Sequence, residues 1–241
     1  MVKFAMFSKK GSRENNEDSI GMYQDEDSWC FILADGLGGH GKGEVASRTA
    51  VDAVIGQFVT QTEREDFLDR AFTAAQEAIV IRQHIDRSCF DMKTTMVVLN
   101  IENETVQWGH IGDSRLYYFQ DGKLKERTLD HSVPQMLVTV GEIKEKEIRH
   151  HPDRNRLLRV LGVEMEEMNH QLSEVIKVVG KQAYLLCSDG FWELIDEKKM
   201  EATLRRSSDP EQWLEAMEAI ILKNGKNTDM DNYSAVAVWM E

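Results

Sequence analysis

Cysteine and proline are scarce, with 3 of each in 241 residues. Cys30, Cys89 and Cys187 show no CxxC spacing, which argues against a disulfide framework and against a structural zinc site. Cys30 and Cys187 sit inside apolar runs and read as small buried hydrophobes. No Pro-rich or Gly/Ser-rich stretch divides the chain, and no internal repeat is visible, so it reads as one domain over 1–241. No stretch approaches the ~20 apolar residues that a membrane span needs. The opening MVKFAMFSKKG lacks the long apolar core of a signal peptide, so the expected location is cytoplasmic, with no membrane partner. Positive charge is also short: 29 Lys and Arg face 42 Asp and Glu, a net −13. Such a chain repels a phosphate backbone, and nucleic acid is not an expected partner. Most of the acid excess reads as a solvated surface, but several acids occupy unusual places.

The pattern of what is present is strand-rich. Ala5–Phe7 and Ser19–Gln24 are short strand candidates, and Trp29–Ala34 is a continuous apolar run of the kind a buried strand shows, stopping at Asp35-Gly36. Apolar residues near a 3.6 period predict helices over Gly43–Thr60 and Glu65–Ile85. Strands return at Thr95–Ile101 and Thr105–Ile111, and Leu116–Gln120 pairs with Leu124–Thr128 across the hairpin signal Asp121-Gly122. Ser132–Val140 reads as a short helix capped by Ser132 and ended by Gly141. Glu142–Asn169 is charged and irregular. Strands at Val175–Val179 and Ala183–Ser188, helices at Asp196–Arg206 and Asp209–Asn224, and a strand at Tyr233–Met240 complete the chain. Runs of strands broken by paired helices fit an α+β layered architecture with antiparallel pairing rather than alternating βαβ units.

Four aspartates share one habit. Asp35 follows WCFILA, Asp189 follows AYLLCS, Asp113 follows WGHIG, and Asp231 opens the strand YSAVAVW. A lone Asp-Gly after a strand is ordinarily a turn. Four acids at the ends of strongly apolar segments favour a ligand site, although spacing alone does not bring the four ends together. Carboxylates gathered there would repel one another and resist burial unless a cation joined them. An all-oxygen set suits Mg²⁺ or Mn²⁺. Two such ions about 3.5–4 Å apart, bridged by Asp35, fit hydrolysis of a phosphate ester.

The motifs then become specific. GSRENNEDS (11–19), ADGLGGHGKGEVAS (34–47), MKTTMVV (92–98), WGHIGDSRLYYF (108–119), LDHSVPQMLVTVGEI (129–143), HPDRNRLLRVLG (151–162), CSDGFWE (187–193) and MDNYSAVAV (230–238) follow one another in order. Together they resemble the metal-dependent protein phosphatases of the PPM family, type 2C, in their compact bacterial form. The resemblance implies a four-layer α-β-β-α sandwich: two antiparallel sheets flanked by antiparallel helix pairs. It implies that Asp35 bridges two metals with the Gly36 carbonyl on one of them, and that Asp189 and Asp231 bind the second. Asp113 and Glu193 would hold a weaker third ion, and Glu17 and Asp18 would order water around the metals. Arg13 would grip the substrate phosphate, a task its fork geometry suits. The span 129–161 would be the flap beside the site.

The activity that the resemblance implies is metal-dependent hydrolysis of phosphoserine and phosphothreonine in proteins by an activated water, without a covalent intermediate. Phosphorylated proteins would be the substrates, a Ser/Thr kinase the opposing enzyme, and the protein a monomer. Animal members carry a histidine directly after the metal-binding Asp-Gly, where this chain has Leu37; His40, further along, does not inherit the role of proton donor automatically. Thr94 and Thr95 are expected to shape a strand beside the site, and His110 to be a satisfied core histidine. His150 and His151 lie in the flap within reach of a substrate. Arg154, Arg156 and Arg159 read as a charged solvated face or as a contact for a phosphoprotein. Two other readings stand beside the leading one: a signalling module that binds without catalysis, and a hydrolase of small phosphate esters or phosphotyrosine. Retention of Asp35, Asp189, Asp231 and Arg13 argues against the first.

Overall fold

A computed structural model describes residues 1–37, 42–60, 66–164 and 169–241. Strands β1 (Val2–Lys9), β2 (Asp18–Asp25) and β3 (Ser28–Leu37) are followed by helices α1 (Gly43–Thr60) and α2 (Phe67–Ile85). Then come β4 (Lys93–Thr94), β5 (Met96–Glu102), β6 (Thr105–Ile111), β7 (Arg115–Gln120), β8 (Lys123–Arg127) and α3 (Val133–Thr139). The chain closes with β9 (Gln171–Leu172), β10 (Ile176–Lys177), β11 (Gln182–Cys187), α4 (Asp189–Trp192), α5 (Glu197–Leu204), α6 (Pro210–Asn224) and β12 (Tyr233–Met240).

The strands form two antiparallel sheets, one ordered β1-β12-β11-β7-β8 and the other β10-β6-β5-β3-β2, with β4 and β9 paired at its margins. The four layers follow from alternation within strands that are apolar on both faces. In β3, Cys30, Ile32 and Ala34 pack with α1 and α2, including Ala46, Ala50, Val54, Phe72 and Ala75. Its alternate residues Phe31 and Leu33 meet Leu186, Val236 and Val238 of the other sheet. On that sheet's outer face, Leu185, Cys187, Ala235 and Ala237 receive Met200, Trp213, Met217 and Ile221 of the last helices. The α+β sandwich expected from the motifs is therefore the fold.

Local chemistry explains most boundaries. Asp121 and Gly122 both take positive φ, 51° and 72°, in the tight β7–β8 turn, as a two-residue hairpin demands. Ser132, Asp196 and Asp209 cap α3, α5 and α6 by accepting from the backbone three residues on. Some expectations need correction. β3 does not stop before Asp35; pairing of Asp35 with Asp18 and of Gly36 with Thr94 carries the strand to Leu37. β1 is an eight-residue edge strand paired to β12 along its whole length, longer than Ala5–Phe7. The expected strand Val175–Val179 shrinks to Ile176–Lys177, with its exposed valines left outside the ladder.

Candidate active site

The end of β3, the turn after β6, the start of α4 and the approach to β12 meet at one end of the sandwich around a cavity of about 400 Å³. Its walls include Arg13, Glu17, Asp35, Gly36, Asp113, Asp189 and Asp231, so seven of the nine residues expected in the site converge on it. Glu193 and Asp18 stand just outside the lining, Asp18 directly opposite Asp35 in the β2–β3 register. His40 lies outside the described residues.

Each acid is held by its backbone. The Asp35 N–H donates to Thr95 Oγ1 (3.2 Å), and its carbonyl accepts from the Thr95 N–H (2.9 Å) and Thr94 Oγ1 (2.8 Å). The two threonines thus fix the strand at the site, as expected. Gly36 donates its N–H to the Glu17 carbonyl at 3.1 Å. A Cβ at Gly36 would run into the backbone of Gly43, so only glycine lets α1 start this close to the end of β3. Asp189 opens α4, in the same cavity wall as Asp35. The Asp231 carboxylate accepts from the Asn232 N–H and from Arg13 Nη2, each at 2.8 Å.

The electrostatics are those of crowded acids. Burial first, then Asp18, Asp189, Asp113 and Asp231, raise the Asp35 carboxyl well above its ordinary value. Asp113 is raised by burial and then by Asp189 and Asp130. Burial pushes Asp18 up to about 7 even though Ser188 and Ser234 hydrogen-bond to it, and pushes Asp189 up to about 6 with Asp231 adding to the effect. Asp35 and Asp189 nevertheless keep part of their surface open to the cavity. Among the described residues, Oδ1 of buried Asp18 has no hydrogen-bond partner.

The donor set is carboxylate and carbonyl oxygen throughout, which fits a hard divalent cation. Among the described residues, however, no three Asp, Glu, His or Cys side chains are drawn tightly enough to ring an ion. Two expected roles are otherwise engaged. Arg13, on the cavity wall, is ion-paired with Asp231, and Glu193 is paired with Arg154 of the 129–161 segment at 2.7 Å. Glu193 is raised to about 7 by burial and then by Asp189, with Arg154 opposing.

Other expectations resolve simply. His110 is 2% exposed, bonds the Leu129 carbonyl through Nε2 at 2.8 Å and stacks on His131, as a satisfied core histidine should. His151 Nδ1 accepts from the Asp153 N–H and shapes a turn. Arg156 pairs with Asp153 and Arg159 with the Asn169 carbonyl. Sequence reasoning passed over the neutral residues of the site. Asn232 accepts from the Glu17 N–H (2.8 Å) and donates to the carbonyls of Lys10 and Asn15 (2.9 Å each), stitching the Arg13 loop to the Asp231 turn. Asn155 and Leu157 bring the 129–161 segment to the cavity wall. All three sit inside the quoted motifs, but carry no charge to draw notice.

Known proteins resemble this chain in sequence and in fold. Residues 8–222 match the protein phosphatase 2C family. The chain is 33% identical over 201 residues to the serine/threonine phosphatase stp of Listeria monocytogenes, covering 80% of this chain and 79% of that one. The crystal structure of the Mycobacterium tuberculosis serine/threonine phosphatase PstP superposes with a TM-score of 0.85 at 30% identity, covering 100% of this chain and 99% of the other. A structure of the PstP catalytic domain in complex with 2 manganese ions superposes at 0.84 with 27% identity, again over 100% and 99%. The chain belongs to the protein phosphatase 2C family, and it is a phosphatase.

Proposed function

We propose that this protein serine/threonine phosphatase hydrolyses phosphoserine and phosphothreonine in proteins, using divalent ions and no covalent intermediate. The observation that carries the reading is the convergence of Asp35, Asp113, Asp189 and Asp231 with Arg13 on one open cavity. Asp35 with the Gly36 carbonyl, Asp189 and Asp231 would hold two Mn²⁺ or Mg²⁺ ions, and Asp113 with Glu193 a weaker third. Ions held there would supply charge neutralisation for the phosphoryl oxygens and acidification of a nucleophilic water. Glu17 and Asp18 supply further acceptors for ordered water behind Asp35. Arg13 swings from Asp231 to the substrate phosphate, where its paired N–H groups orient the ester for in-line attack. Direct attack by a thiol is not available, because Cys30, Cys89 and Cys187 are all buried. Among the described residues, no His, Ser, Thr or Cys lines the cavity.

The span 1–241 then acts as one catalytic domain with 129–161 as its flap. We infer a cytoplasmic monomer opposed by a Ser/Thr kinase; among the described residues no helix is long and apolar enough to cross a membrane. Phosphate release from matched phosphothreonine and phosphotyrosine peptides, and from a small aryl phosphate, tests the substrate class. The proposal expects the phosphothreonine peptide to be favoured at least about tenfold in kcat/KM, a difference of about 1.4 kcal/mol in transition-state binding. Equal rates on all three would replace it with the broader phosphate-ester reading.

A further inference from the structure

Asp113 is 4% exposed, and its backbone is held from two sides. On one side, the loop pairs with His131: the Gly112 N–H donates to His131 Nδ1 (3.2 Å) and the His131 N–H donates to the Gly112 carbonyl (2.9 Å). On the other, Trp192 Nε1 donates to the Asp113 carbonyl at 3.0 Å. Trp192 ends the short helix that Asp189 begins, and it is 1% exposed. The indole is itself clamped. The Arg115 guanidinium lies over its ring with Cζ 3.4 Å from the centroid. Arg115 forks onto Asp130, with Nε 2.7 Å from Oδ1 and Nη2 2.6 Å from Oδ2, and both residues are buried. The Trp192 carbonyl accepts from Arg149 Nε at 3.0 Å. Asp130, His131 and Arg149 all belong to the 129–161 segment, so three of its residues bear on the Asp113 turn or on the indole that holds it.

We propose that Trp192 is a positioning residue which, clamped by the Arg115–Asp130 pair and by Arg149, fixes the Asp113 backbone so that its carboxylate is preset to take a divalent ion and moves as one unit with the root of the 129–161 segment. The inference rests on the metal reading above. A plain packing role would be served by any large apolar ring, whereas the N–H to the Asp113 carbonyl is specific to the indole. In a buried site the geometry of a carboxylate follows the backbone that carries it, and loosening such a support ordinarily costs tenfold or more in metal affinity at most sites and less where one neutral hydrogen bond is lost.

The test is Mn²⁺ titration, by calorimetry and by the EPR signal of free Mn²⁺, of chelator-treated wild type, Trp192→Phe, Asp113→Asn and the double variant. Trp192→Phe keeps most of the bulk and removes the donor. The expected result is about fivefold weaker binding of the weakest ion, with the tighter ions at Asp35, Asp189 and Asp231 unchanged. The double variant should bind as Asp113→Asn does, because the two changes act on one site. Arg115→Lys, which keeps a charge over the ring but loses the fork onto Asp130, should show the same split and serves if Trp192→Phe does not fold. A wild-type isotherm in Trp192→Phe, with only the melting temperature lowered, would make the indole a packing residue and overturn the inference alone. A wild type that takes up no Mn²⁺ would overturn the metal reading and this inference with it.

Discussion

Replacing Asp35 by Asn should make the protein more stable in chelator and nearly inactive with metal. In the structure, the half-buried Asp35 carboxyl is raised well above its ordinary value by loss of water and then by Asp18, Asp189, Asp113 and Asp231. Ionising it near neutral pH therefore works against the fold. An Asn side chain has nearly the same shape and carries no charge. Relief of a charged group buried without full partners is of the order of 1–3 kcal/mol. At about 2–4 °C per kcal/mol for a chain of this size, the melting temperature in chelator should rise by several degrees. Metal affinity and turnover should move the other way, because the bridging position loses its charge. A fall in activity of at least about a hundredfold is expected, beyond what is ordinary for groups that only support a ligand. Differential scanning calorimetry in chelator and in Mn²⁺, beside phosphate release, reads both effects. A lower melting temperature in chelator would show that Asp35 is a structural residue, and retained turnover would show that it holds no catalytic ion.

Arg13→Ala should raise KM for a phosphopeptide at least about tenfold with little change in melting temperature. The Arg13–Asp231 pair is half exposed on both sides, and such pairs contribute only about 0–1 kcal/mol; steady-state kinetics and a thermal melt decide it. Stability in chelator should fall as pH rises from about 5 to 8. Asp18 and Asp189 titrate in the fold near 7 and 6 against an ordinary 3.8, so the native state holds protons that the unfolded chain has already released. Their contribution is fully present below the unfolded value and lost as pH climbs through the folded ones. Saturating Mn²⁺ should flatten or reverse the slope, and melts across pH with and without the ion provide the check. Arg115→Met should destabilise by about 3 kcal/mol, because buried Asp130 would lose its forked partner and keep only Arg127 at 3.7 Å; a denaturant midpoint unchanged from wild type would contradict the buried-pair account.

The layered fold was legible because the strands are apolar on both faces. WCFILA, MVVLNI, AYLLC and YSAVAVW can only be central strands covered on two sides, and the α1 and α2 periodicities name the cover. The acids at strand ends were legible for the related reason that charge is conspicuous beside such runs. The features that escaped depend on tertiary pairing between distant, individually ordinary residues. Nothing local distinguishes Arg115 and Asp130 from surface charges, yet they meet in the core with both side chains buried. Asn232, neutral and next to an Asp, gave no sign that it would bridge to Lys10, Asn15 and Glu17. The four-residue α4 is too short for any periodicity to announce. Asp35 was expected just past its strand, because Asp-Gly ordinarily ends one; its pairing with Asp18 on one side, and that of Gly36 with Thr94 on the other, kept the ladder running.

The central claim is that the converging carboxylates work through a divalent ion on a phosphorylated protein. Its most direct test is phosphate release from a phosphothreonine peptide by chelator-treated protein, with and without added Mn²⁺. The account predicts turnover that appears only with Mn²⁺ and disappears in Asp35→Asn. Full turnover after thorough chelation would contradict it.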